Sequence, residues 1–243
     1  LIDENPHFER LERSLGELSI EWPVTLRVLQ LILRELVRRN DLENGIIYIQ
    51  ITRGVAPRNH QFPKGATPSL VITTKQINFS DDRKFAEGVS AISIPDQRWL
   101  RCDIKTISLL PNCLGKQLAS EAGAYEAWQV DNEGYVTEGT SSNAWIITKD
   151  GRLVTRPVSN AILNGVTRLR LLSIAEQEGL VFEERQFTLE EAYVAREAFV
   201  TSATSFVTPI IKLDGKTIGE GVPGKVTVRL IDWYNEYTAG LRV

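Results

Sequence analysis

Apolar positions along this chain recur with two periods, and the elements they predict alternate between helix and strand. After Asn5-Pro6, which reads as an N-cap followed by a proline in the first helical turn, Phe8, Leu11, Leu15 and Leu18 share one face. The spacing predicts an amphipathic helix over 6–19. Trp22-Pro23 restarts the chain into a second helix over 23–39, with Leu26, Leu29, Leu33 and Leu36 inward, and Asn44-Gly45 ends it in a turn. The β-branched run Ile46 to Thr52 predicts a strand, 55–63 an irregular loop, and Leu70 to Thr74 a second strand. The polar run Asn78 to Lys84 is the candidate linker between domains. A strand from Val89 to Ile94 then leads through Pro95-Asp96 to Lys105, and a helix from Ser108 to Ala122 leaves it.

Short strands dominate the remainder of the chain: Tyr125 to Val130, a turn at Asp131 to Gly134, and Tyr135 to Glu138. A hairpin runs from Ala144 to Thr148 and back along Arg152 to Thr155 around Asp150-Gly151, a strong turn signal. Asn164-Gly165-Val166-Thr167 introduces a helix over 167–178, and a strand covers 180–186. Thr188 to Glu191 has the spacing of a capping box, and Glu197 to Thr201 is strand-like. A last hairpin turns at Asp214-Gly215 before a helix over 224–239. The fold class is α/β in the mixed α+β sense. A small N-terminal α/β domain (1–80) and a linker (81–84) precede a larger C-terminal domain (85–243) with a hairpin-rich β core and surrounding helices.

Composition narrows the function without naming it. The 243 residues suffice for one large domain or two modest ones, and the apolar and charged fractions, 42% and 24%, are those of a globular protein. A net charge of −3 without a basic run argues against nucleic acid as the main partner. No apolar run approaches the ~20 residues of a membrane helix, which argues against a membrane, and no signal-peptide pattern opens the chain. Cys102 and Cys113 make no disulfide framework, and with two histidines they make no zinc site, so no metal is expected. A cytoplasmic protein is the default expectation. The chain lacks methionine and opens Leu1-Ile2-Asp3-Glu4, which reads as the end of a strand, so a preceding segment is expected to be missing.

Several residues have the chemistry of a site, each beside a plainer reading. Lys105 lies past a buried-looking strand and ahead of a helix, where an amine can be held inside a cleft with its pKa lowered; a solvated surface lysine is the alternative. Gly165-Val166-Thr167 and Thr201-Ser202-Ala203-Thr204 offer N–H groups and hydroxyls that suit a phosphate, or ordinary caps. Glu138 is a carboxylate the fold buries, or a turn residue facing water. Arg58 and His60, two apart on an extended loop, project together and suit a carboxylate, or are simply solvated. No Gly-rich nucleotide fingerprint, P-loop spacing or nucleophile elbow is present.

Taken in order, Thr52 to Pro63, Arg98 to Lys105, Val136 to Asn143, Leu163 to Arg168 and Val200 to Ser205 resemble the fold-type IV family of pyridoxal-phosphate enzymes, and within it the D-amino-acid aminotransferases. The resemblance implies a homodimer using pyridoxal 5'-phosphate, with Lys105 carrying the cofactor as an aldimine and shuttling the substrate proton. It implies that Glu138 pairs with the pyridine nitrogen, and that Arg10 binds the phosphate with Val166, Thr167, Ser202 and Ala203. Leu163 would pack on the ring face, and Glu126 would stand near the lysine. Arg58 and His60 would trap the substrate carboxylate, with the partner subunit's site within their reach. The implied reaction is D-alanine plus 2-oxoglutarate giving pyruvate and D-glutamate through a pyridoxamine form. Amino acids and 2-oxo acids are the small-molecule partners. Branched-chain L-amino-acid aminotransferases, (R)-amine aminotransferases and lyases of the same fold are the alternatives, as is a non-catalytic protein that keeps the fold. Two departures stand out. The family's first strand pair, with a tyrosine that helps bind the substrate carboxylate, precedes the point where this chain starts. A threonine expected in the phosphate cradle is Ala203 here, leaving only its N–H.

Overall fold

A computed structural model describes residues 1–77 and 86–241. Contacts divide the chain into two compact units, Phe8–Asp82 and a larger one combining Leu1–His7 with Arg83–Val243. The expected linker 81–84 lies outside the described residues.

The smaller unit holds most of helix α1 (Glu4–Glu17), helix α2 (Leu26–Arg39) and an antiparallel pair, β1 (Gly45–Thr52) and β2 (Ser69–Gln76), in register from Thr52↔Ser69 to Gly45↔Gln76. Phe8, Leu29 and Leu33 form its core against Leu11, Trp22, Ile47, Ile49, Leu70 and Ile72, so each helix buries the centre of the stripe its spacing predicted. Two details differ. Helix α1 begins at Glu4, so Asn5 lies inside the first turn and is not its cap, and His7 N–H already bonds Asp3 O at 3.2 Å. Pro6 is tolerated there because a first-turn N–H has no helical partner to lose. Helix α2 starts later than expected because Thr25 caps it, accepting from Val28 N–H at 3.4 Å; Leu26, at the first helical position, stays 43% exposed rather than inward.

The larger unit is built on a nine-stranded sheet, counted among the described residues. Its strands are β3 (Val89–Pro95), β4 (Glu126–Val130), β5 (Val136–Gly139), β6 (Asn143–Ile147), β7 (Leu153–Thr155), β8 (Phe182–Glu184), β9 (Glu197–Ser202), β10 (Phe206–Leu213) and β11 (Lys216–Thr217). They run in the order β5-β4-β3-β10-β9-β6-β7-β8, with β11 on β10; β3 is parallel to both neighbours, and β7 and β8 are parallel. Helices α3 (Leu110–Glu121), α4 (Val166–Gln177), α5 (Leu189–Tyr193) and α6 (Lys225–Gly240) complete the unit.

Period-two alternation explains why this sheet is buried on both faces. Along β6, Ala144 and Ile146 enter one core with Trp128, Val136, Phe187 and Val200, while Trp145 and Ile147 enter another with Leu171, Phe199, Val207 and Leu230. Trp145 and Phe199 are register partners on β6 and β9, and their rings stack at 5.5 Å and 11°. The turn chemistry read from the sequence holds. Asp214 and Gly215 both take positive φ (50° and 78°) between β10 and β11, and the Thr188–Glu191 capping box forms in both directions. Helix α6 instead borrows its cap from the sheet. Buried Glu197, on β9, accepts from Val226 N–H (3.1 Å), Thr227 N–H (2.7 Å) and the Thr227 hydroxyl (2.8 Å). Among the described residues no helix is long and apolar enough to cross a membrane, and no cluster of metal-ligating side chains occurs.

Candidate active site

Where β3 ends, three loops of the larger unit meet. Asp96 N–H bonds Val130 O at 2.7 Å and fixes the start of the loop that runs to Lys105. Further along, Cys102 N–H donates to Asn160 O at 2.9 Å and Arg98 Nη2 to Ala161 O at 3.0 Å, which ties this lysine loop to the segment ahead of α4. Asp103 and Ile104 are buried at 4% and 5%, and Arg101 grips the Asp103 carboxylate at 3.0 and 3.1 Å. Lys105 itself is exposed, contrary to the amine inside a cleft expected from its position. The two residues before it take the buried anchoring places, and the lysine leaves the sheet edge next.

Glu138, the last residue but one of β5, is buried at 6%. Leu163 N–H donates to both carboxylate oxygens at 3.2 Å, Asn143 Nδ2 donates to Oε2 at 2.9 Å, and Arg98 Nη1 forms an ion pair with Oε1. Burial pushes the Glu138 carboxyl up to about 7, against the pull of the Arg98 charge and its hydrogen bond and of the Leu163 N–H. The same Asn143 amide donates to Leu163 O at 2.9 Å, so Leu163 is clamped through both backbone groups and remains half-buried.

Gly165, Val166 and Thr167 open α4. Gly165 is its N-cap and supplies no side-chain cap, so the first-turn N–H groups have no such partner. A Cβ on Gly165 would fall 2.1 Å from Asn143 Oδ1, so glycine is what lets this backbone come close. Asn143 pairs in register with Thr201, and α4 packs on β9. The helix start and the Ser202-Ala203 turn therefore belong to one rim. Ser202 Oγ accepts from Ser205 N–H at 3.1 Å; Ala203 is exposed.

Glu126 sits on β4, 1% exposed. It takes Ala127 N–H (2.9 Å), Thr140 N–H (3.2 Å) and the Ser142 hydroxyl (2.9 Å), with Lys116 Nζ at 3.6 Å. It thereby shapes the Gly-Thr-Ser-Ser turn between Glu138 and Asn143. In the smaller unit Arg10 lies on α1, where burial lowers its pKa to about 10, and Arg58 and His60 stand exposed on the 53–68 loop. Sequence reading passed over Asp96, Arg98 and Asn143 as site residues. Asp-x-Arg directly after a strand-ending proline, and a buried-strand asparagine closing a Ser-Ser turn, were the available signals.

These features fit pyridoxal phosphate. A buried carboxylate suits a protonated ring nitrogen, a glycine-opened helix start suits a phosphate, and a lysine on the adjoining loop suits covalent attachment. The comparisons agree. A family model for amino-transferase class IV matches residues 2–213. The chain is 44% identical to a D-alanine aminotransferase of Staphylococcus haemolyticus over 98% of its own length and 83% of that protein. It is likewise 44% identical to one of Bacillus licheniformis, over 93% and 78%. A solved structure of a T.th. branched-chain amino acid aminotransferase with pyridoxamine 5'-phosphate superposes with a TM-score of 0.89 at 26% identity, covering 98% of this chain and 79% of that one. The chain belongs to the class IV aminotransferase family.

Proposed function

We propose that this protein is a pyridoxal-phosphate-dependent aminotransferase acting on D-amino acids, with D-alanine and 2-oxoglutarate as the substrate pair. The observation that carries the reading is the buried Glu138 carboxylate, hydrogen-bonded to both the lysine loop and the segment that opens α4. The D-specific half of the reading rests on 44% identity to D-alanine aminotransferases, against 26% to the branched-chain enzyme with pyridoxamine 5'-phosphate.

Bound there, the cofactor would supply an electron sink for proton removal at the substrate α-carbon. Lys105 would hold it covalently and would be the group that carries the proton at that carbon. Glu138 would keep the ring nitrogen protonated, and that positive charge would in turn draw the carboxyl back into its ionised form. Val166, Thr167, Ser202 and Ala203 take the phosphate with their N–H groups and hydroxyls, and Arg10 adds a charge. Leu163, clamped at both backbone groups, would bear on the ring face. Glu126 holds the turn that places Glu138, and Arg58 and His60 orient the substrate carboxylate. The division into a small domain and a large cofactor-binding domain belongs to the same reading.

A homodimer is part of the proposal. Leu110, Leu114 and Leu118, one α3 face spaced four apart, are 70%, 55% and 50% exposed, and a second copy would cover them. Two unpaired cysteines accord with a reducing cytoplasm.

The test is the visible spectrum of the purified holoenzyme. We expect a yellow band that bleaches with D-alanine, not with L-alanine, and returns with 2-oxoglutarate; Lys105→Ala abolishes turnover. Bleaching by L-amino acids alone would move the function to the branched-chain type.

A further inference from the structure

Glu138 must carry charge where water barely reaches it, and the geometry shows where support for that charge comes from. Of the groups donating to its oxygens, Leu163 N–H and the Asn143 amide are neutral; the Arg98 guanidinium brings a full positive charge. Arg98 is itself committed on every side. Nε and Nη2 grip Asp96 at 2.9 and 2.7 Å, Nη2 also reaches Thr137 Oγ1 (3.2 Å) and Ala161 O (3.0 Å), and Nη1 is left to face Glu138. Asp96 is fixed in turn by Thr137 Oγ1 at 2.7 Å and by the Arg98 N–H at 3.0 Å. The side chains of Asp96, Arg98 and Glu138 are 12%, 5% and 7% exposed.

We propose that Arg98, aimed by Asp96, is a positioning residue that holds Glu138 ionised toward the cofactor's ring nitrogen, so that Asp96, Arg98, Glu138 and the ring N–H⁺ form one buried row of alternating charge. The proposal rests on the reading of Glu138 given above. The three side chains alone sum to −1, and the ring proton brings the row to zero. The protonated ring is therefore the form this site selects, in keeping with the cost of an unbalanced buried charge. The fork geometry is required as well. A guanidinium can hold Asp96 along one edge and still present an N–H to Glu138, whereas a lysine ammonium is a point charge. Burial lifts the Glu138 carboxyl to about 7 even with Arg98 in place, so losing that charge leaves the acid neutral at working pH. Of the titratable groups facing this row, the Cys102 thiol is pushed by burial up to about 11 and stays neutral.

The experiment is a double-mutant cycle on the holoenzyme with Arg98→Met, Glu138→Gln and both together. It reads the rate of the D-alanine half-reaction and the pH midpoint at which the bound cofactor's band reports loss of the ring proton. Arg98→Met is expected to slow the half-reaction at least ~10-fold and lower the midpoint by about one unit, because Glu138 then takes up a proton and the ring loses the opposite charge beside it. The double variant should be no slower than Glu138→Gln alone, since Arg98 acts through that carboxylate. Asp96→Asn, which leaves the row at +1 when the ring is protonated, should lower the midpoint as well. Arg98→Lys should recover only part of the loss. Multiplicative effects of Arg98→Met and Glu138→Gln, or an unmoved midpoint in both Arg98→Met and Asp96→Asn, would overturn the proposal while leaving the function standing. A Glu138→Gln variant with wild-type rate and spectrum would overturn the reading of Glu138 and the proposal with it.

Discussion

Asn143 offers the sharpest test of the site, because one amide serves two buried acceptors. Its Nδ2 hydrogens go to Glu138 Oε2 and Leu163 O, both at 2.9 Å, and the residue is 5% exposed. Asn143→Ala removes a bond to a carboxylate, ~1.5–3 kcal/mol, and a neutral bond, ~0.5–1.5 kcal/mol, and leaves both acceptors without that donor. A loss of ~3 kcal/mol is the central expectation, equivalent to a melting temperature lower by roughly 6–12 °C for a chain of this size. Urea unfolding of the cofactor-free protein measures it directly. Asn143→Asp supplies the control. It sets a second carboxylate against Glu138, so it should be worse than alanine at pH 8 and recover toward it at pH 5 as the pair takes up a proton. The reasoning is refuted if Asn143→Ala lies within ~0.5 kcal/mol of wild type, the scatter of ordinary surface changes, or if aspartate is no worse than alanine at pH 8.

Gly165→Ala keeps an unstrained φ of −66° but drives a methyl to 2.1 Å from Asn143 Oδ1, which cannot retreat without loosening Glu138. It should cost ~1–3 kcal/mol and weaken cofactor binding in a fluorescence titration, whereas equal affinity would show the rim to be soft. Glu197→Ala strips the cap from α6, where two N–H groups and a hydroxyl lose their acceptor; a fall of ~2–3 kcal/mol is expected in thermal melts. The cofactor-free protein should also lose stability as pH rises from 4.5 to about 7. The folded Glu138 carboxyl, at about 7, lies above its ordinary 4.5, so its contribution is full below 4.5 and is gone once pH has risen through 7. Urea midpoints across that range should flatten in Glu138→Gln; an equal slope would place the titration elsewhere.

The chain's own pattern was enough for nearly every element, because each is decided locally. Leu29 and Leu33 repeat at helical spacing, Ala144 to Ile147 alternate between two cores, Thr188 and Glu191 stand at capping distance, and Asp214-Gly215 can adopt the left-handed turn. The motifs around Lys105, Glu138 and Gly165 were likewise legible, since each is a short contiguous run. What the sequence could not contain is the wiring between those runs. Arg98 reaches Glu138 across 40 positions, Asn143 ties Leu163 across 20, and Glu197 caps a helix 30 positions later. Such pairings depend on strand order, with β3 between β4 and β10 and β6 beside β9, and no local periodicity encodes an order. Burial also turned on tertiary packing. It pushed the Glu138 carboxyl upward by desolvation, left Lys105 exposed beside two buried neighbours, and placed Leu26 outside a core its spacing had promised it. A side chain's chemistry is written in the sequence, but the dielectric and the partners that tune it exist only once distant segments have packed.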